Sequence, residues 1–138
     1  MICNLAELKM IFNVMPEDND SSIPIEGIST DTRKINKHEV FIAIKGENFD
    51  GHNFVHIGVE KGAIAIIVAE DFDITKYDYN NFIKVKDTIR AYGEIARFYR
   101  QKNNFIVVAV TGSCGKTTTK DMVASVLSKK YKVEKTFQ

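Results

Sequence analysis

Tryptophan is absent from this chain, and proline and cysteine are scarce, two of each among 138 residues. So little proline excludes a collagen-like or polyproline architecture. The two cysteines, Cys3 and Cys114, exclude a disulfide framework and lack metal-ligand spacing. A reducing, cytoplasmic setting is therefore the simpler expectation. An excess of one charge is also missing, with 19 basic residues against 18 acidic ones. Nothing in that balance points to nucleic acid or an anionic membrane as a partner. Long apolar runs are missing too. "AIAIIVA" and "IVVAV" are the longest, far short of the roughly 20 residues that span a bilayer. "MICNLAELKMIF" has neither a basic segment before an apolar core nor a small-residue cleavage site, so a signal peptide is not expected. Internal repeats and low-complexity tracts are absent. What remains is an ordinary folded composition, 44% hydrophobic and 27% charged. The length suits one domain, or one small domain and part of another.

Periodicity marks the elements. Asn4 followed by Glu7 reads as a capped helix start, with Leu5, Leu8 and Phe12 on one face. "IPIEGIST" reads as one or two short strands, and "EVFIAIKG" as a strand ending at Gly46. "HNFVHIGVEKG" predicts a short helix stopped by Gly62, and Asp50 is expected to cap it. "AIAIIVAE" is apolar on both faces and predicts a buried strand; "NFIKVK" alternates and predicts another. Asp87 can cap a helix in which Ile89, Tyr92, Ala96 and Tyr99 recur at helical spacing. "FIVVAVT" predicts a second fully apolar strand. A helix over "KTTTKDMVASVLSKK" follows, with Met122, Val123, Val126 and Leu127 on one face, and then a strand at "YKVEKT".

The junction "TGSCGKTTTKD" carries the chemistry. A strand that feeds a glycine-rich turn and then a helix gathers backbone N–H groups, and the positive end of the helix dipole, around an anion. Lys116 can reach the outer phosphates of a nucleotide, and the Thr117 hydroxyl is placed to coordinate Mg²⁺. The pattern G-x-x-x-x-G-K-[ST] would require glycine at 110, where this chain has Val110; its first glycine is Gly112. The bland alternative is a glycine-rich turn without a ligand.

The variant loop resembles that of the Mur ligase family, ATP-dependent amide-forming enzymes of peptidoglycan synthesis, which share the missing first glycine. The resemblance extends upstream through "STDTRKINKHEVFIAIKGENFDGHNFVHIGVEKGAIAIIV". Its features are D-[ST]-R, an F-x-A strand, G-x-x-x-DGH-x-F, and G-A before an apolar strand. They are similar to the uridine-nucleotide domain of the two later ligases, which add the third residue and the terminal D-alanyl-D-alanine. The Glu of "KGENFDGH" and the Lys-Asp pair of "TTTKD" resemble the D-alanyl-D-alanine-adding member more.

The resemblance implies an α/β chain in which a small mixed-sheet UDP-sugar-binding domain, residues 1–85, precedes a linking helix, 86–104. Residues 105–138 would then be the first strand–P-loop–helix–strand of a truncated ATP-binding central domain. It implies ATP and Mg²⁺ as cofactors, with Gly112, Ser113, Cys114, Gly115, Lys116, Thr117 and Thr118 at the nucleotide, Lys116 catalytic and Thr117 on the metal. Thr30, Thr32, Glu47, Asn48 and Phe49 would meet the UDP end of the substrate. UDP-N-acetylmuramoyl-peptide and D-Ala-D-Ala would be the small-molecule substrates of a cytoplasmic monomer, joined through an acyl phosphate. Taken alone, Asp31-Thr32-Arg33 is equally a turn with a solvated ion pair, and Phe49 equally a core residue. His52 and His56 stand four apart, as metal ligands on a helix would, but no H-E-x-x-H and no third ligand accompany them. Three rival readings stand beside this one: the preceding ligase that adds a diamino acid or lysine, which shares both motifs; a non-catalytic UDP-sugar-binding module; and a generic P-loop NTPase, against which the Asp31-Thr32-Arg33 and Asp50-Gly51-His52 region argues.

Overall fold

The computed structural model describes residues 1–47 and 49–136. It divides into two compact units, Met1–Asn104 and Phe105–Gln138.

The first unit opens on a two-residue strand, β1 (Cys3–Asn4), and helix α1 (Leu5–Ile11). The expected capping box is present: the Glu7 N–H donates to Asn4 Oδ1 at 2.8 Å, and the Asn4 N–H donates to Glu7 Oε2 at 3.0 Å. β2 (Pro24–Ile25) pairs antiparallel with β1. Four further strands, β3 (Gly27–Ser29), β4 (Glu39–Ile42), β5 (Ala65–Ala69) and β6 (Phe82–Val85), form a sheet in that order. Every pairing in it is parallel. This corrects the mixed sheet expected from the sequence: the antiparallel ladder is a separate two-stranded piece. Helix α2 (Val55–Glu60) forms the crossover from β4 to β5, preceded by a 3-10 turn at Gly51–Phe54.

Period-two alternation sorts the strand side chains onto two faces. Val40, Ile42, Ala65, Ile67, Ile83 and Val85 face α1 and helix α3 (Thr88–Asn103), whose Leu5, Leu8, Ala91 and Ile95 complete that core. Phe41, Ala43, Ile66 and Val68 face α2 and pack with Val55 and Ala63. β5 is therefore apolar on both faces, as its composition predicts. Burying each such Ile or Leu is worth about 1.5–3 kcal/mol.

Two details differ from expectation. β4 stops at Ile42 instead of running to Gly46, because the chain folds back: the Gly51 N–H donates to the Ile44 carbonyl at 2.8 Å, and Lys45 bridges to Asp50. Asp87 caps α3 as expected, accepting the N–H groups of Ile89 and Arg90. The buried face of α3, however, is Thr88, Ala91 and Ile95, and the predicted stripe members Ile89 and Tyr92 are exposed. The small side chains at 88 and 91 let the helix approach the sheet closely, and that contact outweighs the bulk of the neighbouring stripe.

The second unit contains one element among its described residues, helix α4 (Lys116–Leu127). The strands expected at 105–110 and 131–136 are not formed there. A fully apolar strand is stable only between partners that satisfy its backbone and cover its faces. Here Ile106, Val107 and Val108 are exposed, as are Met122 and Val126 on α4. Among the described residues no helix is long and apolar enough to cross a membrane.

Candidate functional site

β3 ends at Ser29, and the next four residues form a tightly bonded turn. Ser29 Oγ donates to the Asp31 carbonyl at 2.9 Å, and the Arg33 N–H donates to Asp31 Oδ1 at 3.0 Å. The Arg33 guanidinium closes on the same carboxylate in two-pronged fashion, Nε to Oδ1 at 2.9 Å and Nη2 to Oδ2 at 2.7 Å. These hydrogen bonds hold the Asp31 carboxyl down to about 2 and raise the Arg33 guanidinium further. Thr32 between them is buried, whereas Thr30 is exposed. Lys61, at the end of α2, donates to the carbonyls of Thr32 and Arg33 at 2.7 and 3.2 Å.

Opposite this turn lies the loop after β4. The Gly46 N–H donates to the Phe49 carbonyl at 2.7 Å. A side chain at Gly51 would lie 2.9 Å from the Ile44 backbone, so only glycine fits the fold-back. Asp50 accepts the His52 N–H at 3.0 Å and the His52 ring Nδ1 at 2.7 Å. Hydrogen bonding from the His52 amide, then from its ring, lowers the Asp50 carboxyl against the opposing effect of burial. His52 Nε2 in turn accepts the Ala69 N–H at 3.0 Å. The proton of the neutral ring therefore sits on Nδ1, and both ring nitrogens are engaged. Among the described residues no group of three or more His, Cys, Asp or Glu side chains could hold a metal ion.

Turn and loop bound a cavity of about 440 Å³, lined by Thr30, Asp31, Thr32 and Arg33 on one side and by Phe41, Phe49, Phe54 and Ile57 on the other. Phe49 is half exposed and stacks on Phe54, centroids 5.3 Å apart at 12°. One polar wall and one aromatic wall are what a flat, hydrogen-bonding heterocycle needs. Of the residues expected at the substrate nucleotide, Thr30, Thr32 and Phe49 are brought together here. Glu47 is exposed and does not line the cavity, and Asn48 lies outside the described residues. Arg33, Phe41 and Phe54 complete the lining and stand in the D-[ST]-R, F-x-A and DGH-x-F motifs read from the sequence; Ile57, and Lys61 bonded to the turn from outside the cavity, were not singled out there.

In the second unit, Gly112 and Gly115 both take positive φ, +151° and +75°, which side-chain-bearing residues rarely adopt. α4 starts directly after Gly115, and no side chain caps it. Lys116 Nζ folds back to donate to the Gly112 carbonyl at 2.7 Å, so the ammonium lies over the loop. Cys114 is exposed. Glycine-shaped turns, a helix N-terminus and one lysine fit a polyphosphate; for Mg²⁺ the hydroxyls at hand are those of Thr117 and its neighbours Ser113 and Thr118.

Residues 24–100 match the Mur ligase family, catalytic domain, and residues 110–138 match the Mur ligase middle domain. The chain belongs to the Mur ligase family. It is 41% identical over 134 residues to the UDP-N-acetylmuramoyl-tripeptide–D-alanyl-D-alanine ligase of Bacillus subtilis (strain 168), covering 96% of this chain and 28% of that protein. It is 42% identical over 124 residues to the ligase of the same name from Escherichia coli (strain K12), covering 90% of this chain and 26% of that one. Among solved structures, MurF from Acinetobacter baumannii superposes with a TM-score of 0.74 at 33% identity, over 93% of this chain and 28% of that one. The chain thus spans little more than a quarter of the length of these relatives.

Proposed function

We propose that this chain is the substrate-nucleotide-binding unit and phosphate loop of an ATP-dependent ligase. The enzyme would add D-alanyl-D-alanine to UDP-N-acetylmuramoyl-tripeptide in peptidoglycan synthesis, acting in the cytoplasm as a monomer. The activity named for the relatives from Bacillus subtilis and Escherichia coli supports the reaction. The observation that carries this chain's part is the cavity between Thr30–Arg33 and Phe49. In this reading residues 1–85 form the UDP-sugar domain, 86–104 link it onward, and the P-loop segment begins at 105.

ATP, with Mg²⁺, supplies the phosphoryl group that activates the substrate carboxylate for attack by the amine. The residues of this chain bind and orient. The Thr30 and Thr32 hydroxyls would donate to and accept from the pyrimidine or ribose, and Phe49 would cover the ring face; Glu47 and Asn48 are assigned to the nucleotide by the family resemblance alone. Backbone N–H groups of Gly112, Ser113, Cys114 and Gly115 would hold the phosphates, with Thr118 in the first turn of α4. Lys116, which bonds to the Gly112 carbonyl, would neutralise charge on the transferring phosphoryl group, and Thr117 would hold the metal.

UDP titration of the 138-residue protein, followed by amide chemical shifts, tests the reading. The expected dissociation constant is on the order of 0.1–1 mM, since the nucleotide alone forgoes the sugar and peptide contacts. Shifts should centre on Thr30–Arg33 and Phe49. Shifts confined to residues 112–118 would remove the assignment.

A further inference from the structure

The peptide between Thr32 and Arg33 is held by charge from both edges. In a trans peptide the C=O and N–H point in opposite directions from one plane. Here the Thr32 carbonyl accepts the Lys61 ammonium at 2.7 Å, while the Arg33 N–H on the far edge donates to the Asp31 carboxylate at 3.0 Å. A cation at the carbonyl and an anion at the amide both favour the same orientation of that peptide dipole. Lys61 also reaches the Arg33 carbonyl at 3.2 Å, so two successive peptide planes are tied to one ammonium.

The position of Lys61 in the chain gives this contact its consequence. Lys61 is the C-terminal cap of α2, and Gly62 behind it takes φ of +74° to end the helix. The same α2 carries Ile57, one of the apolar residues lining the cavity. The polar lip and the apolar wall are thus joined by one side chain that reaches across 29 residues of sequence. Lys61 itself is exposed and does not line the cavity.

We infer that Lys61 is a positioning residue for the nucleotide end of the substrate, holding the Thr32–Arg33 peptide in the orientation that presents the turn to the ligand. This rests on the reading of the cavity as a uridine-nucleotide site. An ordered lip removes the cost of ordering it on binding. A lysine that served stability alone would leave affinity unchanged.

The test compares Lys61→Met and Lys61→Arg with the unmodified protein, using UDP and neutral uridine as probes in amide-shift titrations. Because Lys61 is exposed, the Met variant should keep its urea midpoint. Its Arg33 and Lys34 amides should move in the free protein, and both probes should bind roughly three- to tenfold more weakly. Lys61→Arg should recover most of the loss. Unchanged affinity for both probes in Lys61→Met would overturn the inference while leaving the site reading intact. A loss seen with UDP but not with uridine would overturn it too, since Lys61 would then act as a charge for phosphate. An unmodified protein whose cavity residues respond to neither probe would overturn the site reading, and this inference with it.

Discussion

Lys9 Nζ lies 2.8 Å from Asp20 Oδ2, and both side chains are 5% exposed. The pair ties α1 to the short 3-10 helix Asp20–Ser22, and the Glu17 N–H adds a hydrogen bond to the same carboxylate at 2.7 Å. Burial raises the Asp20 carboxyl, but Lys9 and the Glu17 amide outweigh it, so the net shift is downward. Asp20→Asn would leave the buried Lys9 ammonium only the exposed Glu17 carboxylate at 3.6 Å and should cost about 3–5 kcal/mol in urea denaturation. The sign with pH follows. A carboxyl lowered in the fold contributes fully above its ordinary range and loses that contribution as pH falls through the folded-state value. A loss below 1 kcal/mol in Asp20→Asn, or a stability difference from wild type that grows on acidification, would contradict this.

Gly51 and Gly62 should respond differently to alanine. At Gly51 the added carbon meets the Ile44 backbone N and O at 2.9 Å, and backbone cannot yield as a side-chain tip can. Gly51→Ala should cost about 2–3 kcal/mol and perturb the loop that carries Phe49. At Gly62 there is open space but a φ of +74°, so Gly62→Ala should cost about 1 kcal/mol through the backbone alone. Thermal melting of the two variants gives the order; the reverse order would refute the fold-back at Ile44.

Much of this fold was legible in sequence wherever one short segment carries both partners of an interaction. Asn4 and Glu7 cap each other within one turn, Asp87 caps its own helix, and β5 declares its two buried faces by composition. The α3 face was not legible, because Thr88–Ala91–Ile95 and Ile89–Tyr92–Ala96 are both helical stripes, one residue out of register. Only the neighbouring sheet chooses between them. In the site, Thr30, Thr32 and Phe49 were reached through family resemblance. Lys61 was hidden because its acceptors are main-chain carbonyls, which no residue type marks. The strands expected on either side of the Gly112–Lys116 loop and helix α4 were read from local apolarity, but strand formation requires partners that local sequence does not contain.

Asp31 should titrate near 2, well below an ordinary aspartate, because Arg33 bonds its carboxylate from side chain and backbone. Carboxyl carbon shifts against pH read this directly. The turn's contribution is complete above the ordinary aspartate value of 3.8 and is lost as pH falls through about 2. Arg33→Gln should return the midpoint toward 3.8. A midpoint already there in the unmodified protein would mean that the two-pronged contact does not persist in solution.

The two cysteines provide a built-in comparison for the proposed phosphate loop. Cys3 is fully buried in the first unit, and burial, reinforced by Glu7, pushes its thiol up to about 11 from 9.0. At neutral pH that alone lowers its reactive thiolate fraction roughly a hundredfold, before access is considered. Cys114 is exposed between Gly112 and Gly115, where a bound triphosphate would cover it. Iodoacetamide near neutral pH should therefore modify Cys114 and spare Cys3, with the two becoming similar once the chain is unfolded. Saturating Mg-ATP should slow the Cys114 reaction several-fold and leave Cys3 unchanged, as read by mass spectrometry of the two peptides. Lys116→Met should abolish that protection, read within each protein as the ratio of Cys114 rates with and without Mg-ATP. Protection that persists in Lys116→Met would place ATP elsewhere. An unmodified protein whose Cys114 rate ignores Mg-ATP would mean that this polypeptide does not form the phosphate site by itself.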